Sequence, residues 1–294
     1  MRNGMEEKEV RRIDSANLVR REEQTDEPLA HDIRADMIPP IFPTKSPTNA
    51  TLSSPSSQVQ MLKFLLSPAA LALALPSNET TRNPPSRTYS DLLTPFEELL
   101  CAVILSHPIP HRLAFRTITT VLNAPYAFRN PVAIKTAGPK KIKQALQDAG
   151  MQRDAELDTL LYALCNNNWH NDISRLRAHT RNPIASQREQ LRRSIAGLAP
   201  GGLDIFYRRV QWQWPEIYPF VDMDTHDALA NLGLPRRAEG LDRMIEVRWR
   251  ELELAAERGH EEDAERRRTL VMCCERARGL EREGKIEEVL KVGR

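Results

Sequence analysis

The stretch LRRSIAGLAPGGLDIFYRRVQ, residues 191–211, reads as a helix, a tight turn rich in glycine and proline, and a second helix. Gly201 and Gly202 lack a Cβ, so they relax the sterics of the turn and let backbone N–H groups approach a ligand closely. The second helix starts at this turn, so its free N–H groups and positive dipole end face outward. Such a helix end is a natural site for a phosphate group.

Four arginines flank this turn: Arg192, Arg193, Arg208 and Arg209. Their guanidinium groups can add contacts to a phosphate backbone. The same segment also fits an ordinary corner between two helices with solvated arginines. Taken by itself, the segment is compatible with both interpretations.

Apolar residues on both sides of the turn keep helical spacing and show no strand pattern, which predicts an all-α fold. The central helix begins at TPFEELLCAVILS (94–106), where Thr94 can cap, Pro95 suits the first turn and Glu97 completes a capping box. Further helices are predicted at 111–123, 130–138, 139–150, 153–167, 186–198 and 203–214, and from the aspartate-rich stretch to Gly233.

The N-terminal part, residues 1–88, holds 10 of the 21 prolines and balances 11 basic with 11 acidic residues. Such a composition predicts a mostly disordered region. Its apolar run MLKFLLSPAALALAL (61–75) is too short for a membrane span and contains Lys63 and Pro68, so a helix within 58–75 that docks on the domain is predicted instead. The N-terminus lacks the apolar core of a secretory signal, and the expected reduced state of the cysteines predicts an intracellular protein without a membrane partner.

The C-terminal part, residues 236–294, is charged and helical, and the break RGHEED (258–263) predicts a helical hairpin. One apolar stripe comprises Leu241, Ile245, Trp249, Leu252 and Ala256, and a second comprises Leu270, Cys273, Cys274, Ala277 and Leu280. Two interpretations fit: the helices pack on the domain or on each other, or they form an arm for a protein partner.

The chain has four cysteines and no C-x-x-C pair, so no metal site is predicted and the cysteines are expected to be reduced. The formal net charge is only +2. Any surface that binds nucleic acid must therefore be a local basic patch rather than a global field.

Three motifs occur in one order: ELLCAVILS (98–106), LAPGG (198–202) and VDMDTHDALANLGL (221–234). In this order and spacing they resemble motifs of the helix-hairpin-helix DNA glycosylase superfamily. The sequence around the hairpin is similar to that of a microbial endonuclease-like subgroup. The resemblance covers residues 94–235. It implies a glycosylase-like domain at 89–235, a role in base-excision repair, double-stranded DNA as the partner and a nuclear location.

The departures from this family narrow the expected activity. Bifunctional members carry a nucleophilic lysine where this chain has Asp204, so the resemblance implies a monofunctional enzyme without lyase chemistry. The four cysteines of the iron–sulfur members are absent, so no iron–sulfur cluster is expected, although a monovalent cation at the hairpin would fit the family. The glutamine that fills the gap left by a flipped base has no counterpart, and His107 or His111 are the candidates to replace it.

The family places its catalytic aspartate at a helix entry. A gapless match selects Asp222, which is preferred here, whereas a literal match to D-T-H selects Asp224. Asp222 is then expected at a cleft between the hairpin and the early helices, within hydrogen-bond reach of the next helix's first N–H groups. Both aspartates and Asp227 also fit simple capping and solvation.

Five aromatic residues fit two roles, as the lining of a pocket for a flipped base or as part of the core: Tyr207, Trp212, Trp214, Tyr218 and Phe220. Two other functions stay open beside the glycosylase. One is a DNA-binding module that has lost catalysis, and the other is a helical interaction protein that acts through residues 236–294.

Overall fold

The computed structural model describes residues 54–76, 86–152, 154–165, 172–179, 183–254 and 260–292. All of these residues belong to one compact unit, Pro47–Arg294. They form helices and connecting loops, as the sequence predicted, and no β-strand occurs among them. The disorder predicted for the N-terminal part falls mostly on residues 1–53 and 77–85, which lie outside the described ranges.

Within these ranges the chain forms twelve α-helices and one short 3-10 helix. The first six helices are α1 Pro55–Leu66, α2 Pro68–Ala74, α3 Pro95–Ser106, α4 His111–Leu122, α5 Pro131–Asp148 and α6 Ala155–Ala163. After the 3-10 helix Ile173–His179 come α7 Pro183–Ser194, α8 Pro200–Val210, α9 Met223–Asn231, α10 Ala238–Val247, α11 His260–Arg282 and α12 Ile286–Val292. The predicted helices are present with slightly different ends, and the 3-10 helix is an addition.

Local sequence explains how α3 begins and why α5 bends. Thr94 Oγ1 accepts a hydrogen bond from the Glu97 N–H at 3.4 Å, and the Glu97 carboxylate accepts one from the Thr94 N–H at 2.9 Å, which confirms the predicted capping box. Gly138 interrupts α5 with φ 69°, immediately before Pro139. Because glycine tolerates this left-handed conformation, the two short helices predicted here meet at a kink.

Two apolar clusters hold the helices together. The first cluster is built from α3 to α8 and their loops, and its fully buried side chains include Leu99, Ile104, Phe128, Phe206, Tyr207 and Trp214. The second cluster joins α1 and α2 to α9–α12, and it includes Leu62, Leu65, Leu229, Cys273 and Ala277. Each cluster covers the apolar faces of its amphipathic helices. Helices α1 and α2 and helices α10–α12 therefore share a core with α9.

Residues 58–75 are helical and dock on the rest of the chain, but they form two helices rather than one. Ser67 ends α1 and caps α2, and Pro68 occupies the first position of α2. Gly279 of α11 packs so closely on α2 that an added Cβ would lie 2.5 Å from the Ala74 carbonyl oxygen. No helix in the described part of the chain is long and apolar enough to cross a membrane.

The C-terminal part buries most of the two predicted apolar stripes, while Trp249 is only partly buried and Ala256 lies outside the described residues. The buried members are Leu241, Ile245, Leu252, Leu270, Cys273, Cys274, Ala277 and Leu280. α11 packs against α1, α2, α9 and α10. These apolar faces contact the chain's own core. Of the two interpretations, packing within the chain therefore fits the buried stripes, and an exposed apolar arm does not.

Candidate active site

A cleft of about 280 Å³ opens where the end of α3, the start of α8 and the start of α9 come together. It is lined by Leu105, Ser106, Ala199, Gly201, Asp204, Ile205, Arg208, Asp222, Met223, Asp224 and Arg282. α3 and α8 belong to the first cluster, whereas α9 and α11 belong to the second. The cleft therefore lies where the two clusters meet, a common place for ligand sites.

One wall of the cleft is Ala199 and α8, which follow α7 and the turn 195–199 in a helical hairpin. The turn glycine is Gly197, whose φ of 92° an L-residue would adopt only with strain. The prediction that Gly201 and Gly202 relax the turn is therefore wrong, because both lie inside the first turn of α8. No side chain caps the start of α8, as expected for a helix end that is open to a ligand.

Gly201 and Gly202 have opposite environments at this helix start. A Cβ on Gly202 would lie 2.7 Å from Ser106 Oγ and 2.8 Å from a methyl carbon of Leu198, so α8 approaches α3 closely here. Gly201 is exposed, and a Cβ on it would meet no atom within 4 Å. A side chain at 202 would thus displace Ser106 and Leu198, while the backbone at 201 is open towards the cleft.

Asp222 caps the start of α9 and faces the cleft with only 7% of its surface exposed. Its carboxylate accepts hydrogen bonds from the Thr225 N–H at 3.0 Å, the Thr225 hydroxyl at 2.9 Å and Arg208 Nη1 at 2.5 Å. Burial alone would raise the pKa of Asp222, but the Arg208 charge and these hydrogen bonds outweigh it and leave the pKa below its ordinary value. Asp222 therefore has the predicted geometry and is ionised at neutral pH.

Asp224 lies in the first turn of α9 and also lines the cleft, but it is exposed. Its carboxylate pairs with Arg278 of α11 at 2.6 Å. Asp227 is exposed on the same helix. Asp222 and Asp224 thus share one cleft, and only Asp222 is buried in it.

The structure corrects the predicted role of Arg208 and Arg209 as surface contacts to a DNA backbone. Their exposed fractions are only 4% and 2%. Arg208 is shared between Asp222 and Glu275, and Arg209 binds Glu98 at 2.8 Å and lies 4.4 Å from the centre of the Tyr89 ring. Both guanidinium groups are therefore engaged inside the protein, because a buried charge requires a partner.

These arginines and carboxylates form one buried ion network, which we define as Glu98, Arg208, Arg209, Asp222 and Glu275. It connects α3, α8, α9 and α11 and so joins the two apolar clusters. Burial would raise the pKa of Glu275, but Arg208 and Arg209 overcome this effect and lower it. For Glu98 burial prevails over Arg209, and its pKa is raised.

The other residues that the sequence suggested for DNA or base contacts do not line the cleft. Arg192 and Arg193 are exposed in the last turn of α7, and Arg193 pairs with Glu189 at 2.8 Å. None of the five aromatic residues considered for a base pocket lines the cleft. Tyr207 and Trp214 are core residues instead.

The two histidines considered as gap-filling residues are both bound to acidic side chains. His107 Nε2 lies 2.6 Å from Asp154, and His111 Nδ1 lies 3.0 Å from Glu283. Burial lowers the pKa of His111, although the Glu283 hydrogen bond opposes this. Neither ring lines the cleft, so a gap-filling role for them receives no support from their positions.

Two functional candidates were missed by the sequence argument: Glu275, which completes the ion network, and Arg282, which lines the cleft. Both belong to α11, in the part of the chain that was treated as an appendage. No group of three or more His, Cys, Asp or Glu side chains in the described residues is arranged to hold a metal ion.

Comparisons with protein-family models, with curated proteins and with solved structures found no match. The function is therefore inferred from the residues of the cleft.

Proposed function

We propose that the protein is a monofunctional DNA glycosylase with a helix-hairpin-helix fold, acting in base-excision repair in the nucleus. Its substrate is a damaged or mismatched base in double-stranded DNA, which is flipped out of the duplex into the cleft. The observation that carries the proposal is Asp222, a buried and ionised carboxylate that lines a cleft beside the α7–α8 hairpin.

The reaction needs such a carboxylate. Breaking the bond between the sugar C1′ and the base nitrogen leaves positive charge on the deoxyribose ring, which a nearby anion stabilises. A water oxygen then bonds to C1′ and gives up a proton, while the base leaves with the bonding electrons and takes up a proton. Asp222 stabilises the sugar cation in this scheme, and its hydrogen bonds from Thr225 hold the carboxylate in place.

The residues around Asp222 favour hydrolysis over lyase chemistry. No lysine lines the cleft, and the position that holds the nucleophilic lysine in the resembling family is Asp204, which lines the cleft and pairs with Arg188. A carboxylate cannot form the Schiff base on which lyase activity depends. Strand breakage is therefore expected only after the abasic product is treated with alkali.

DNA is held at the hairpin in this proposal. The start of α8 offers the exposed Gly201 N–H to a phosphate, with a monovalent cation fitting the same turn. Pro200 has no N–H, and the Gly202 N–H already donates to the Ala199 carbonyl at 2.9 Å. Arg192 and Arg193 are exposed next to the turn and provide positive charge for the backbone.

The test is a set of duplexes that each carry one oxidised, deaminated, alkylated or mismatched base, incubated with an excess of protein. We expect alkali-dependent strand breakage for at least one duplex and no breakage without alkali. No breakage after alkali with any duplex would contradict glycosylase activity. Breakage without alkali would contradict the monofunctional assignment.

One observation favours a second candidate, a DNA-binding module without catalysis. Arg208 contacts the Asp222 carboxylate at 2.5 Å and compensates part of the negative charge that a sugar cation needs. This candidate predicts salt-sensitive binding to DNA by both the wild type and Asp222→Asn, with no base release by either. Base release by the wild type would exclude it.

A further inference from the structure

Five charged side chains line the cleft, and four of them have ion-pair partners. Asp204 pairs with Arg188, Arg208 with Asp222 and Glu275, and Asp224 with Arg278. The fifth is Arg282, in the last turn of α11. No carboxylate of the described residues lies within ion-pair distance of its guanidinium, so Arg282 is the cleft charge that the protein itself leaves unpaired.

Arg282 is exposed to solvent where it lines the cleft, so an anion can reach its guanidinium. Partial burial and the neighbouring charges of Arg278 and Arg208 lower its pKa, while Tyr89 and Glu275 act in the opposite direction. A bound anion would supply the ion-pair partner that Arg282 lacks among the described residues. A guanidinium also presents a planar fork of donors that fits two oxygens of one phosphate.

We propose that Arg282 binds a backbone phosphate of the DNA strand next to the nucleotide whose sugar faces Asp222. This inference rests on the proposed function and names the anion contact of the same cleft. The C-terminal part of the chain then supplies a DNA contact, in addition to its structural role.

A phosphate that belongs to DNA fits this position better than a small free anion. Asp204, Asp222 and Asp224 line the same cleft and repel anions that enter it alone. A phosphate in a DNA strand is held near the cleft by contacts elsewhere on the duplex, and these contacts overcome the local repulsion. Arg282 comes from α11 and Gly201 from α8, so two helices meet the strand.

The test measures the affinity of the full chain for a short duplex that carries one tetrahydrofuran abasic analogue, over a series of salt concentrations. This probe lacks a base, so the result does not depend on which lesion the protein recognises. For Arg282→Gln we expect about tenfold weaker binding near 0.1 M salt and a salt slope reduced by about one, as for the loss of one phosphate contact.

Two further variants separate the effect of charge at Arg282 from the effects of guanidinium geometry and of location on the surface. Arg282→Lys keeps the charge, so its salt slope should stay at the wild-type value while its affinity falls by about threefold, since the ammonium lacks the planar fork. Arg243→Gln is the matched control, because Arg243 is exposed on α10, does not line the cleft, and has no ion-pair partner among the described residues. It should bind like the wild type.

The outcomes distinguish this inference from the function on which it rests. If the wild type binds the duplex and Arg282→Gln keeps the same affinity and salt slope, the Arg282 contact is wrong and the proposed function stands. An equal loss in Arg282→Gln and Arg243→Gln would also overturn it, because the effect would then be general charge. If the wild type does not bind the duplex at low salt, both the function and the inference fail.

Discussion

Asp222 has a structural role and a proposed chemical role, and both use the same carboxylate. It caps α9 through Thr225, and it neutralises Arg208 in the ion network. The oxygens that would stabilise a sugar cation are thus held in place by the fold. A variant of Asp222 must therefore be judged for stability before its activity is interpreted.

The two cleft aspartates should differ in their effect on stability. Asp222→Asn can still cap α9, but it removes a buried charge from Arg208, so we expect the free energy of unfolding to fall by about 2–3 kcal/mol. Asp224→Asn removes only an exposed ion pair and should change it by less than about 0.5 kcal/mol. Urea denaturation of both variants measures the difference, and equal losses would show that Asp222 is not part of a buried network.

The choice of Asp222 over Asp224 came from spacing along the chain, and the structure gives the two residues different surroundings. Sequence could show that Asp222 sits at a helix entry, because capping is a local property. It could not show Arg208 beside the carboxylate, because that contact depends on how α8 packs against α9.

Within a single helix, the start of α8 packs closely against α3 at Gly202 and leaves the backbone open at Gly201. A Cβ at Gly202 would press on Ser106 of α3 and on Leu198, whereas a Cβ at Gly201 would meet no atom within 4 Å. This contrast makes the two adjacent glycines a matched pair of test positions for the hairpin.

Gly201→Ala should separate DNA binding from stability. Alanine is the better helix former and meets free space, so the free energy of unfolding should rise slightly, by up to about 1 kcal/mol. Binding to the abasic duplex should weaken, because the new methyl group obstructs the approach of a phosphate to the backbone. Unchanged binding would contradict a DNA contact at the start of α8.

Gly202→Ala is the control for this position and should act mainly on the fold. Its methyl group would collide with Ser106 and Leu198, so we expect a loss of about 1–2 kcal/mol in the free energy of unfolding. Urea denaturation measures it. A neutral result would mean that α8 and α3 are less tightly packed than the structure indicates.

At the scale of the whole molecule, the ion network links the two apolar clusters on either side of the cleft. The depressed pKa values of Asp222 and Glu275 mean that the native state binds fewer protons than the unfolded chain near pH 4. Their contribution to stability is complete above the unfolded pKa values and is lost as the pH falls through the folded ones. Glu98, with its raised pKa, acts in the opposite direction.

Glu275→Gln should therefore change how stability depends on pH. At pH 7 we expect the free energy of unfolding of the variant to be lower by about 3 kcal/mol, because Arg208 and Arg209 lose a buried partner. Between about pH 5 and pH 3 the variant should lose less additional stability than the wild type, since one depressed pKa has been removed. Urea unfolding across this pH range measures both effects, and parallel pH profiles would contradict the assigned role of Glu275.

Much of the fold could be predicted from the sequence, because helix starts, prolines and apolar spacing act over a few residues. The capping box at Thr94 and the kink at Gly138 are examples. The burial of Arg208 and Arg209 could not be predicted in this way. A usable signal was present, however: Arg208 and Arg209 lie among the apolar residues of IFYRRV, and Glu98 lies in the still more apolar α3.

The site was predictable only in part for the same reason. Asp222, Asp224 and the hairpin lie within one continuous stretch of the chain, so spacing could bring them together. Arg282 and Glu275 enter through α11, more than fifty residues after Asp222. Their place at the cleft and in the network depends on the docking of the second cluster, which no local pattern encodes.

The central claim, that Asp222 acts on a flipped nucleotide, is tested most directly by the rate of base release under single-turnover conditions on the best duplex from the lesion set. The comparison includes Glu275→Gln, which perturbs the same ion network but keeps the cleft carboxylate. We expect Asp222→Asn to be slower than the wild type by about 100-fold or more, with Asp224→Asn and Glu275→Gln within about tenfold. Near-wild-type release by Asp222→Asn with loss in Asp224→Asn would contradict the claim, and so would an absence of release by the wild type.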